Sequence, residues 1–154
     1  MIKVDPYFKP ILFSALIVIL LNTVFILPFS GAPLFTYFIG GVIAAWLFKK
    51  ELKDEFKELT AWDSAVLGLG TGSLVGAILT VIISIKLQDI DVQKFVIDAI
   101  NEAMKMHSNL AFEGLEQLGP GFYMIIAITT IAICCFMSLF GSLATMPFVN
   151  KGKK

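Results

Sequence analysis

Few side chains in this 154-residue sequence are placed to do chemistry, and each has a plain structural explanation beside the chemical one. Cys134 and Cys135 are adjacent. Neighbouring helical positions point about 100° apart, so the pair is poorly set to bridge itself, and no C-x-x-C spacing is present. A redox or metal-binding thiol pair is one reading. Two small polarizable residues packed inside a helix is the more economical one. His107 is the only histidine, with Met104 and Met106 beside it, a composition that suits a soft metal. Ligands so close in sequence need a loop, whereas these fall at the end of a helical pattern. A surface histidine with apolar-face methionines is therefore the expectation.

Asp63 is the acid nearest a long apolar run and is a candidate proton site. It also follows Thr60 in a T-x-x-D pattern, a relative of the capping box, and capping accounts for it without further assumption. Asn22 is the one strongly polar residue of the first apolar run. It suits either a polar substrate or a hydrogen bond to the third or fourth span, and the second is preferred. There is no Ser-His-Asp set, no histidine pair, no H-E-x-x-H and no C-x-x-C. No catalytic, cofactor-binding or metal-binding residue is assigned, and no enzyme is expected.

The elements carrying these residues are set by the distribution of charge. Hydrophobic residues make up 57% of the chain and charged ones 16%, against roughly 25% charged in soluble domains. No charged residue lies within 11–48, 64–85 or 121–150. Runs of that length read as membrane spans. The expected fold is a single all-α membrane domain over residues 1–154, with four transmembrane helices in two hairpins near 11–27, 33–48, 64–85 and 122–146. The apolar run at 10–28 is longer than the core of a leader peptide, so it is expected to be retained as the first span. Formal net charge is zero, which gives no reason to expect nucleic acid. All twelve basic residues are lysine, which excludes arginine clamps on carboxylate or phosphate.

Small residues recur at four-residue spacing in three spans. The third carries Ser64, Gly68, Gly72, Gly76, Thr80 and Ser84 on one helix face. The second carries Ala32, Thr36, Gly40 and Ala44, with Gly41 and Ala45 alongside. The last carries Thr130, Cys134, Ser138 and Ser142, with Gly141 and Thr145 beside them. Glycine in a helix interior is unfavourable by about 1 kcal/mol against alanine, and close helix approach in a membrane is the usual reason to keep it. Spans 2 and 3 are expected to pack directly. Whether residues 68–76 are then fully covered decides between a self-contained bundle and one offering a face to a second copy or another membrane protein.

Residues 49–60 alternate lysines and acids with Leu52, Phe56 and Leu59 at helical spacing, as in a helical extension of span 2 or a solvated surface helix. The segment 87–119 is acidic. Within it Val92, Phe95, Val96, Ala99, Ile100, Ala103 and Met104 draw an apolar helix face that must rest on the bundle end or the bilayer interface. A second short helix, capped by Ser108 or Asn109, is expected to follow. Nine lysines fall in the N-terminal arm, the 49–60 connector and the tail, against three at 86–119. By the positive-inside rule both termini are expected in the cytoplasm of a plasma (inner) membrane and the acidic segment outside.

The order and spacing resemble a group of uncharacterised four-span membrane proteins, found mainly in Bacteroidota and grouped as a domain of unknown function. The residues that carry the likeness are Gly40-Gly41, the lysine-rich connector, Asp63 with Ala65, Gly72 and Gly76, the acidic excursion at 89–116 and the final lysines. The resemblance implies the four-span fold and no activity. The expected role is a scaffold or accessory subunit in the lipid bilayer, packing through Ser64, Gly68, Gly72, Gly76, Gly40, Gly41, Ala44, Ser138 and Gly141. A small transporter or channel subunit is the alternative.

Overall fold

The computed structural model describes residues 5–25, 32–52, 58–107 and 117–150, and these residues are all-helical, with no strand. Five helices follow one another: α1 (Phe8–Phe25), α2 (Ala32–Glu51), α3 (Ala61–Lys86), α4 (Ile90–His107) and α5 (Pro120–Asn150). The expected turn around Pro28, the middle of the 49–60 connector and the short helix after Ser108 fall wholly or largely outside the described residues.

Local sequence sets the helix boundaries. Thr60 is extended (φ −87°, ψ 163°) and caps α3, its hydroxyl accepting from the Asp63 N–H at 3.1 Å while the Asp63 carboxylate accepts from the Thr60 N–H at 2.9 Å. That closes the capping box anticipated from T-x-x-D, and Asp63 sits against the positive end of the helix. α3 therefore starts at Ala61 rather than at 64. Pro10 lies within the first turn of α1, where its missing N–H removes no helical bond, so α1 begins at Phe8 instead of 11. Pro120 occupies the first position of α5, which then runs through Pro147 to Asn150, past the expected end at 146.

Among the described residues two helices are long and apolar enough to cross a membrane, against the four spans expected. α3 has 26 residues and α5 has 31, or about 39 and 46 Å at 1.5 Å per residue. α1 and α2 are shorter, at 18 and 20 residues. α2 takes in Lys49, Lys50 and Glu51, making it in part the helical extension anticipated for the connector.

α5 is the centre of the packing. It lies along α3 and along α2, while α1 packs on α2 and α3. α2 and α3 do pack directly, as expected of spans 2 and 3, but each lies more extensively against α5. The reason is steric: α5 has its own small-residue row, and its backbone comes close enough to occupy both facing rows at once. Two apolar clusters flank this seam. Ala15, Val18, Val75, Leu79 and Cys134 form one. Ala44, Ala45, Phe48, Leu59 and Leu67 form the other, nearer the end where α1 and α3 begin.

Candidate functional site

The seam around α5 gathers most of the residues singled out from the sequence. Gly68, Gly72 and Gly76 of α3 meet Leu139, Cys135 and Ile131 of α5, four residues forward on one helix matching four back on the other, so the two run antiparallel. A Cβ on Gly68 would stand 2.6 Å from the Leu139 Cα, and one on Gly76 would stand 2.7 Å from the Ile131 Cα. One on Gly72 would collide with the Cys135 Cα and lie 2.6 Å from the Cys134 carbonyl oxygen. Only glycine permits this approach. On the other side of α5 the contact is reciprocal: Gly41 of α2 faces the Ser138 carbonyl, and Gly141 of α5 faces the Phe38 carbonyl. Backbone C–H groups set against carbonyls in this way also make weak hydrogen bonds. Gly40 points elsewhere, against Val18 of α1 and Thr71 of α3. Ala44 is buried in the apolar cluster below the seam.

Polar side chains line the interior. Ser14, Thr71, Ser138, Ser142 and Ser64 are all buried. The Ser14 and Thr71 hydroxyls share a hydrogen bond of 2.9 Å that ties α1 to α3, a pairing the sequence pattern did not disclose. The Thr80 hydroxyl donates back to the Gly76 carbonyl and the Thr145 hydroxyl to the Gly141 carbonyl, each at 2.8 Å, satisfying these groups within their own helices. The Ser64, Ser138 and Ser142 hydroxyls have no hydrogen-bond partner among the described residues. Ser138 borders a small void with Val18, Tyr37, Thr71, Gly72, Val75 and Cys134 that has no room for a water molecule.

The thiols are free. Cys134 is buried, and Cys135 reaches the outer edge of the seam, 3.3 Å from the Ser73 hydroxyl. Asn22 is buried, and its amide donates to the Val18 carbonyl at 3.0 Å. That bond lies within α1 rather than to the third or fourth span, because a carbonyl one turn back is within reach of a short side chain. His107 is the last residue of α4. No group of three His, Cys, Asp or Glu residues close enough to hold a metal occurs among the described residues.

A second cluster fastens the ends of four helices. Tyr7, just before α1, donates its hydroxyl to Asp63 Oδ1 at 2.5 Å and stacks on Phe48 of α2 with ring centroids 4.8 Å apart. The hydrogen bond to Asp63, then burial, then the Asp63 and Asp5 charges push the Tyr7 pKa up from 10.0 to about 12. The Asn150 side chain, at the end of α5, accepts from the Leu59 N–H at 3.1 Å and donates to the Leu59 carbonyl at 3.0 Å. Nothing near Asn150 in sequence signals its partner 91 residues away. Asp63 thus has two tasks, capping α3 and anchoring Tyr7.

The outer surface is apolar. Leu12, Phe13, Leu16 and Leu20 of α1, Val81 and Ile85 of α3, and Ile125, Ile128, Phe136 and Phe140 of α5 are exposed. A groove of about 470 Å³ between α2 and α5 is lined, among the described residues, by Leu34, Ala132, Ile133, Phe136 and Met137. Trp46 and Trp62 are both exposed near the fastened end, and the Lys50 ammonium lies 5.4 Å from the Trp46 ring centre. No family model, curated protein or solved structure matches the chain.

Proposed function

We propose that this chain is a multi-pass integral membrane protein acting as a non-catalytic scaffold or accessory subunit, with α1, α2, α3 and α5 as four spans in two hairpins. One observation carries the reading: small and hydroxyl-bearing residues face inward while large apolar side chains face out. A water-soluble bundle has the opposite arrangement, and exposed apolar area on this scale otherwise marks an interface. α1 and α2 reach nearly the roughly 30 Å of a hydrocarbon core, and each packs along a longer partner. Phe8, Trp46 and Trp62 beside Lys9 and Lys50 suit an interfacial belt. The lysine asymmetry then puts the fastened end and both termini in the cytoplasm of a plasma (inner) membrane. The glycine contacts account for how the bundle closes on itself, and the apolar groove and wall leave faces for lipid, a further copy or another membrane protein. The likeness to the uncharacterised four-span group fits the same architecture.

A small transporter or channel subunit is the second reading, favoured by the three buried hydroxyls without partners. Against it, the void beside Ser138 is too tight for water, and ion paths through membranes are usually marked by ionisable groups. The test is purification in mild detergent after cross-linking in the native membrane, alongside flux measurements in proteoliposomes. Stoichiometric co-purification of a membrane partner and no flux is the expected result. Solute-dependent flux from the chain alone would overturn the scaffold reading.

A further inference from the structure

We propose that α4 lies in the headgroup layer on the side opposite the fastened end, with Val92, Phe95, Ala99 and Ala103 turned into the acyl boundary of the bilayer. The inference rests on reading α3 and α5 as membrane spans. Its first support is where α4 begins. Only Leu87, Gln88 and Asp89 separate it from Lys86, the last residue of α3. Three residues reach at most about 10 Å even when extended, comparable to the interfacial layer on one side of a bilayer. They are not extended. The Leu87 N–H donates to the Ile83 carbonyl at 2.8 Å, that of Gln88 to Ile85 at 3.1 Å, and that of Asp89 to Lys86 at 3.1 Å.

The joint is also fixed from the far side. The Asp89 carboxylate accepts from the Asp91 N–H at 3.0 Å, and its carbonyl accepts from the Gln93 N–H at 2.9 Å. The Gln93 side chain donates to the Leu87 carbonyl at 2.7 Å, and Leu87 itself is buried. The start of α4 is therefore held at the level where α3 leaves the membrane.

The second support is which part of α4 is open. Asp91, Lys94, Asp98, Glu102 and Lys105 share one face. On the apolar side Val96, Ile100 and Met104 are half-buried, while Val92, Phe95, Ala99 and Ala103 form an exposed edge, Phe95 at 75%. No other helix among the described residues packs extensively on α4. An amphipathic helix held at membrane level with an open apolar edge suits the plane of the interface. The third support is charge. Three acids against two lysines on the polar face give no attraction to anionic headgroups. Apolar burial must therefore hold α4 down, and zwitterionic lipid is enough.

The test uses the full chain with Cys134→Ala and Cys135→Ser, reconstituted in phosphatidylcholine vesicles. Single cysteines from Phe95→Cys, Lys94→Cys and Ile128→Cys carry an environment-sensitive fluorophore, and lipids with shallow or deep nitroxides quench it. Shallow nitroxides should quench the Phe95 site at least about twofold more than the Lys94 site, which the helical turn carries to the side away from the exposed apolar edge, as expected for a helix lying on one face. Adding anionic lipid should leave that ratio unchanged. Deep nitroxides should quench the Ile128 site. An unquenched, water-like signal at Phe95 with Ile128 quenched overturns the inference and leaves the spans standing. An apolar but unquenched signal there overturns it in favour of a protein cover, such as a second copy. Loss of quenching at Ile128 removes the spans and the inference together.

Discussion

Gly72 and Gly70 lie two residues apart on α3 and make opposite predictions for the same substitution. A methyl on Gly72 would strike the Cys135 Cα and stand 2.6 Å from both the Cys135 nitrogen and the Cys134 carbonyl oxygen. These are backbone atoms, so relief requires α3 and α5 to separate by about 1 Å, and a gap of that size forfeits a quarter to a half of each pairwise attraction along the seam. Overpacking of this kind costs about 1–3 kcal/mol. A methyl on Gly70 would meet only the Ile11 side chain, nearest at its terminal carbon at 2.6 Å. Ile11 is half-buried and can turn aside, at about 0.5–1.5 kcal/mol if it leaves its rotamer. The helix-propensity gain of alanine, about 1 kcal/mol in water, applies equally to both sites and shrinks where the unfolded state keeps its helices.

Gly70→Ala should therefore be neutral within about 1 kcal/mol, and Gly72→Ala should be destabilised by about 1–3 kcal/mol. The natural readout is the buried Cys134 thiol, in a Cys135→Ser background. Maleimide labelling along a titration from mild detergent into dodecyl sulfate reports opening of the seam. Gly72→Ala should label at lower dodecyl sulfate, and Gly72→Leu lower still. Equal midpoints for wild type, Gly70→Ala and Gly72→Ala would refute the reasoning, because the backbone contact would then not be holding the helices together.

The reciprocal pair on the other side of α5 should behave as one unit. Gly41→Ala and Gly141→Ala each force α2 from α5, so the double variant should lose less than the sum of the two in the same labelling assay. Tyr7 should titrate near 12 rather than 10.0, read as the difference in tyrosinate absorbance between wild type and Tyr7→Phe, and Asp63→Asn should return it toward 10.0. A raised tyrosine pKa favours the neutral form in the fold, so its stabilisation is complete below pH 10 and is lost as the pH rises toward 12. Tyr7 is partly exposed, and solvent screening leaves about 0.5–1 kcal/mol of the effect. Asn150→Ala removes both hydrogen bonds to Leu59 and should cost about 1–2 kcal/mol, with faster exchange of the Leu59 amide hydrogen.

What the sequence disclosed was local or periodic. The glycine rows were legible because helix geometry alone puts every fourth residue on one face, and T-x-x-D was legible because the cap closes over three residues. Which row meets which was not legible. Three rows of the same composition allow several pairings, and the backbone of α5 takes both sides only once all the helices are assembled. The fastened end was hidden for the same reason. Tyr7 meets Asp63 across 56 residues and Leu59 meets Asn150 across 91, and nothing in either neighbourhood encodes the other. Asn22 misled because burial in an apolar run suggests a partner on another helix, whereas an asparagine can also satisfy its amide one turn back along its own.

The scaffold and conduit readings separate at a single point on the seam. A conduit must let α5 move against α3, since their glycine contacts close the interior around the void beside Ser138. A scaffold needs no such motion. Ser73 and Cys135 meet at the edge of that seam, hydroxyl to thiol at 3.3 Å. Ser73→Cys in a Cys134→Ala background puts a second thiol there, close to where a disulfide needs it. Oxidation should then lock α3 to α5, seen as protection of both thiols from alkylation until reductant is added. If the bundle is a scaffold, the locked protein should keep its membrane partner and gain resistance to dodecyl sulfate. Loss of the partner on oxidation, restored by reductant, would mean that separation of these two helices is part of the function, and the static packing role would have to be abandoned.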